Sequence, residues 1–170
     1  MENKDDKGVL WFLTKFADIL NTVATVWTFF LMFFMTADVA GRYFFGRPLT
    51  GAPEMVKVSL VALLYLYLPH ALWSGRMVRS DLLVPRMSPR LQTIMVILTH
   101  LLGTILFAGI VISLWHHMAD AWMHGEWEGE GALRVPTAPI RTIVILGSAL
   151  TSFMYLIRTV QHARTLFKKA

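Results

Sequence analysis

Cysteine is absent from this 170-residue chain. That absence excludes a disulfide framework, a thiolate metal centre and a cysteine nucleophile together. Charge is scarce as well: Asp, Glu, Lys and Arg make up 16% of the residues, against about a quarter in a soluble domain. Much of the surface must therefore face something other than water. Phosphate-binding loops, nucleophile elbows and metalloprotease helix motifs are all missing. An internal repeat is missing too. The halves 16–73 and 93–157 share a helix count but no motif, which argues against an inverted-repeat transporter. The formal net charge of +5 does not form one basic block. Its residues flank apolar runs, where they read topology and lipid head groups, so no nucleic-acid partner is expected.

What the chain does contain is apolar length. Hydrophobic residues make up 55% of it, and the mean hydropathy is +0.53. Four runs stand out: Phe16–Ala37, Met55–Trp73, Thr93–Trp115 and Ile140–Ile157. Each approaches the roughly 20 residues a helix needs to cross about 30 Å of hydrocarbon. Helices are the open-chain solution there, because lipid offers a bare amide no partner. Prolines punctuate the gaps: Pro48 and Pro53, Pro85 and Pro89, Pro136 and Pro139. The expectation is an all-α integral membrane protein with helices over about 11–43, 53–74, 89–122 and 139–165. These form a single membrane domain, 1–170. The first and third exceed the membrane thickness and should tilt or project. The first run is preceded by Glu2, Asp5 and Asp6 and is too long for a signal-peptide core, so it reads as a retained helix.

Orientation follows from Lys and Arg. Lys4, Lys7, Lys15, Arg76, Arg79, Arg86, Arg90, Arg158, Arg164, Lys168 and Lys169 fall on one side, eleven of the sixteen. The positive-inside bias places that side, with both termini and the 74–90 loop, in the cytoplasm. Glu126, Glu128 and Glu130 then face outward. Trp11, Trp73, Trp115, Trp122 and Trp127 lie near span boundaries as interfacial aromatics do, while Trp27 lies mid-span.

Polar chemistry concentrates at helix ends. Asp38 and Arg42 are four apart and share a helix face. Glu54 opens the next helix at a similar depth, which makes Asp38, Arg42 and Glu54 an expected ion cluster clamping the hairpin between the first two helices. Asp18 and Asn21 read as solvated or partner-facing. The run interiors hold hydroxyls but almost no charge, whereas ion and proton pathways need ionisable groups there. No catalytic residue emerges.

His70 and His100, on the second and third helices, invite a four-helix cytochrome with a bis-histidine haem. Their depths differ by about 10 Å at the helical rise, which disfavours one shared iron. His116, His117, Asp120 and His124 have the spacing of a surface metal site, but read better as the exposed polar end of the third helix. No cofactor and no metal is expected.

The stretch Asp38-Val39 through Arg42-Tyr43, Phe45-Gly46-Arg47-Pro48-Leu49-Thr50-Gly51 and Glu54 resembles the signature that follows the first helix of the small membrane subunit of TRAP transporters, the DctQ type. Gly75-Arg76-Met77-Val78-Arg79-Ser80-Asp81 is similar to a second family segment, with Met77 and Ser80 where histidine and valine are common. Val135-Pro136 before the fourth run matches as well. The resemblance implies a sodium-coupled importer of organic acids such as C4-dicarboxylates or sialic acid. In it a periplasmic substrate-binding protein delivers to a large membrane subunit of DctM type that holds the transport site. The small subunit would be a scaffold set among membrane lipids. It also implies loop-ordering roles for Arg76, Arg79 and Asp81. The acidic Glu126, Glu128 and Glu130 are the expected contact for the binding protein.

Overall fold

The computed structural model describes residues 4–46, 49, 51–74, 89–128 and 135–169. The described residues form four helices: α1 (Lys4–Phe45), α2 (Ala52–Trp73), α3 (Pro89–His124) and α4 (Ala138–Lys169). All four are long and apolar enough to cross a membrane, and each of the four apolar runs lies within one of them. A short antiparallel ribbon, β1 (Trp127–Glu128) and β2 (Val135–Pro136), ties α3 to α4, with Trp127 opposite Pro136. The sequence reading did not anticipate this ribbon. Two-residue strands leave no alternation to detect, and proline is tolerated only at an edge position such as this.

The hydroxyls along α1 are satisfied by its own backbone. The hydroxyls of Thr22, Thr25, Thr28 and Thr36 each donate to the carbonyl four residues earlier on α1, so none of these groups needs water. Glycines end two of the helices. Gly46 and Gly125 adopt φ of 62°, and their amides reach the Arg42 and Ala121 carbonyls at 3.1 Å. A side chain would strain that left-handed turn.

The packing is an open row rather than a closed bundle. α1 packs on α2, α2 on α4, and α4 on α3. On α1 the buried positions Ala17, Ala24, Leu31 and Asp38 recur every seven residues, the spacing of a left-handed helix seam. Ala24 and Leu31 close on Leu63 of α2, while Leu13 and Ala17 meet Leu72 of α2 and Met154 of α4.

The α2–α4 seam joins the α1–α2 hairpin to the α3–α4 hairpin, and a proline shapes it. Pro69, fully buried inside α2, supplies no amide hydrogen to the Tyr65 carbonyl four residues back. Gly147 of α4 lies against that same carbonyl, so close that an added Cβ would stand 2.4 Å from its oxygen. The small Ser148 and Thr151 beside it are fully buried. On the α3–α4 seam, Gly103 abuts the Tyr155 ring, Phe107 stacks on it, and Ser152 donates to the Thr104 carbonyl.

α1 and α3 stand at the two edges of the row. Their outer faces are apolar and open: Phe33 is 68% exposed and Ile112 72%. In water such faces would be untenable; in lipid or against another membrane protein they are at home. α2 sets the depth scale. Its 22 residues make about 33 Å at the helical rise, close to the hydrocarbon thickness.

Candidate functional site

The α1–α2 turn holds the densest polar chemistry at one end of the row. Asp38, 7% exposed, projects from the last buried position of the α1 seam. One carboxylate oxygen accepts from the Arg42 guanidinium at 2.6 Å, and the other accepts from the Leu49 amide at 2.8 Å. The second bond spans eleven residues and closes the turn. Arg42 lies along α1 with its side chain 54% exposed, reaching toward the head-group level as a snorkelling cation does.

Glu54 departs from the expected cluster. Among the described residues no ion pair joins it to Arg42, and its Oε2 is buried without a hydrogen-bond partner. The reason is positional. Arg42 is held by Asp38 one helical turn away on its own helix, while Glu54 sits in the first turn of α2, where the helix N-terminus favours a negative charge. The expected triad therefore divides into a pair on α1 and a helix-terminal acid on α2.

At the opposite end, Asp18 Oδ1 and His70 Nδ1 meet at 2.9 Å and brace α1 against α2. Arg158 of α4 lies over the Trp73 ring and donates to its carbonyl at 3.2 Å. Neither link was legible in the sequence, because each joins residues far apart in the chain that only the helix row brings level. The bis-histidine haem reading meets the same geometry. His70 is turned to Asp18, α4 lies between α2 and α3, and His100 stacks on His162 of α4 with centroids 5.4 Å apart. His70 and His100 therefore do not face one another.

At the Asp38 end of α3, the His117 and His124 rings donate to the Ser113 and Asp120 carbonyls on their own helix. No group of three metal-ligating side chains gathers among the described residues. Glu126 pairs with Arg141 at 2.6 Å, and its carbonyl accepts both the amide and the hydroxyl of Thr137 at 3.0 Å. Arg141 also donates to the His117 carbonyl. These bonds lock the ribbon onto the helix ends around a shallow cleft lined by His124, Gly125, Glu126, Trp127, Thr137 and Arg141. Of the other expected acids, Glu128 lies in β1 and Glu130 outside the described residues. Arg76, Arg79 and Asp81 lie outside them as well.

Taken from the residues upward, this is a multi-pass membrane protein whose described ion pairs lie toward the ends of its spans, with one of them, Asp18–His70, joining two helices. The chain matches the family described as tripartite ATP-independent periplasmic transporters, DctQ component, over residues 31–165. It belongs to that family and is the small membrane subunit of a TRAP transporter. No curated protein and no solved structure matches the chain.

Proposed function

We propose that this subunit acts as a scaffold for the large, DctM-type membrane subunit of a sodium-coupled importer of organic acids, carboxylates such as C4-dicarboxylates or sialic acid, and does not itself bind substrate. The observation that carries the reading is the open row of helices. A row encloses no path between its members, and it leaves long apolar faces on α1 and α3 for a neighbour and for lipid. Its polar groups brace helices instead of lining a route.

The chain is a non-catalytic subunit of the bacterial inner membrane, folded as one membrane domain with both termini cytoplasmic by the positive-inside bias. In that orientation Asp38, Arg42 and Glu54 shape the periplasmic hairpin, and Arg76, Arg79 and Asp81 order the cytoplasmic loop.

Purification of the tagged chain from membranes expressing the whole transport system is expected to bring down a larger multi-span protein in fixed ratio. Carboxylate flux into vesicles containing this chain alone would overturn the scaffold reading. The acidic segment carries a second expectation. Reversing Glu126, Glu128 and Glu130 together to Lys should raise the binding-protein concentration needed for half-maximal uptake, through lost charge complementarity. Unchanged uptake kinetics would remove the proposed contact with the periplasmic binding protein.

A further inference from the structure

Trp27 occupies a place where lipid leaves an indole N–H without an acceptor. Two tertiary contacts bracket α1: Asp18 meets His70 near the last turn of α2, and Asp38 meets the Leu49 amide just before its first. The twenty residues between them (38 − 18) make about 30 Å of helix, the hydrocarbon thickness. Their midpoint is residue 28, so Trp27 lies within about 2 Å of the membrane centre. Tryptophan in lipid belongs at the interfaces.

The ring lies against Phe30, tilted 35° to it with centroids 5.3 Å apart, and is 40% exposed. Among the described residues its N–H has no acceptor. The hydroxyls of Thr25 and Thr28, by contrast, are bonded to their own helix and lie by the Tyr67 hydroxyl of α2. A tryptophan has no such recourse, because its N–H sits far out on a rigid ring and does not reach the carbonyls of its own helix as a short hydroxyl does.

The rest of that flank is aromatic, with Phe12, Phe16 and Phe30 exposed and Phe34 half-buried. Phe30 stacks on Phe34 one turn further, and Phe12 on Phe16 toward the other end. The corresponding open face of α3 is aliphatic, with Leu102, Ile105, Leu106 and Ile112 exposed. Hydrocarbon satisfies that face and leaves the Trp27 donor unmet.

We infer that the Trp27–Phe30–Phe34 flank of α1 is the surface that docks the large membrane subunit, while the open face of α3 meets lipid. The partner group is a hydrogen-bond acceptor at the membrane midplane, a hydroxyl or a backbone carbonyl at a break in a helix. This inference rests on the scaffold reading above.

The test uses the full transport complex in native membranes. A photoreactive phenylalanine analogue replaces Phe30 or, as the counter-position, Ile112. The expected result is an adduct with the large subunit from position 30 and lipid-only labelling from position 112. Trp27→Phe, which keeps a ring and removes the donor, should weaken association of the two subunits by roughly three- to thirty-fold, the range of an interhelical hydrogen bond in a membrane. Trp115→Phe should leave it unchanged.

Large-subunit adducts from position 112 as strong as those from position 30 would overturn the assignment of the surface and leave the scaffold reading intact. So would a Trp27→Phe chain that associates normally. An adduct between two copies of this chain from position 30 would replace the proposed occupant with a second copy. Failure of any larger protein to co-purify with the unaltered chain would overturn the scaffold reading itself.

Discussion

Gly147→Ala is expected to loosen the whole assembly, at a cost of about 3 kcal/mol in unfolding free energy, because overpacking against rigid backbone has no cheap relief. The added Cβ would lie 2.4 Å from the Tyr65 oxygen and 2.9 Å from its carbonyl carbon. Neither atom is the end of a flexible side chain, so α2 and α4 must part by about 1 Å to restore ordinary contact. The effect is global because of where the seam lies. α2 and α4 are the two inner helices of the row, and their contact joins one hairpin to the other.

Titration of the purified protein from mild detergent into a denaturing one, followed by far-ultraviolet dichroism and tryptophan fluorescence, measures the loss. Gly109→Ala is the control. Nothing lies within 4 Å of a Cβ there, so the variant should be unchanged or up to about 1 kcal/mol more stable from better helix propensity. Equal losses at the two glycines would show that the close approach at Tyr65 is not what limits the site. Pro69 is the natural second variant. Pro69→Ala returns an amide to the Tyr65 carbonyl and should reshape the same seam from the α2 side.

The second large effect belongs to Asp38. Asp38→Ala should cost about 2 kcal/mol, chiefly because the Leu49 amide loses its acceptor where little water reaches. The Arg42 ion pair contributes less, since a half-exposed guanidinium finds head groups or water instead. Two companions separate these terms. Asp38→Asn keeps an oxygen for Leu49 and gives up the charge, and Arg42→Gln gives up the charge from the other side. Both are expected to lose less than about 1 kcal/mol in the same unfolding titration. If Asn proves as damaging as Ala, the charge pair rather than the turn-closing bond holds the hairpin.

These two sites differ in how much of them the linear sequence carried. Asp38 and Arg42 were legible because their pairing is local. Four residues on a helix put two side chains on one face whatever the rest of the fold does. Glu54 was placed on the right helix and given the wrong partner. Its separation from Arg42 depends on how the turn between α1 and α2 closes, and that is settled by the Asp38–Leu49 bond. Gly147 looked like any small residue in a membrane run. Its importance comes from Pro69, seventy-eight residues earlier (147 − 69), which left the Tyr65 carbonyl without its usual amide. Only the crossing of α2 and α4 connects the two.

The histidines follow the same rule. His70 and His100 both belong to apolar runs, and periodicity places each on a helix without saying which helices are neighbours. The chain order suggests that α2 and α3 are adjacent. The row order α1–α2–α4–α3 interposes α4, so His70 turns to Asp18 and His100 to His162. Asp18 therefore braces α1 against α2 while its side chain stays 64% exposed, so the solvated residue expected from the sequence also has a partner on its neighbouring helix.

The number of helices, their membrane-spanning length, the scarcity of charge inside them and the family signature at 38–54 were determined by the sequence alone. These properties depend on local composition: about 20 apolar residues must form a helix in hydrocarbon, since no other conformation of one segment satisfies its own backbone. The order of the helices in the row, the close approach at Gly147, the partner of Asp18, the isolation of Glu54 from Arg42 and the exposure of the Trp27 ring were decided by tertiary structure. In lipid, every apolar face is as content against acyl chains as against another helix. Association is therefore selected by a few close contacts and hydrogen bonds, which hydropathy does not record.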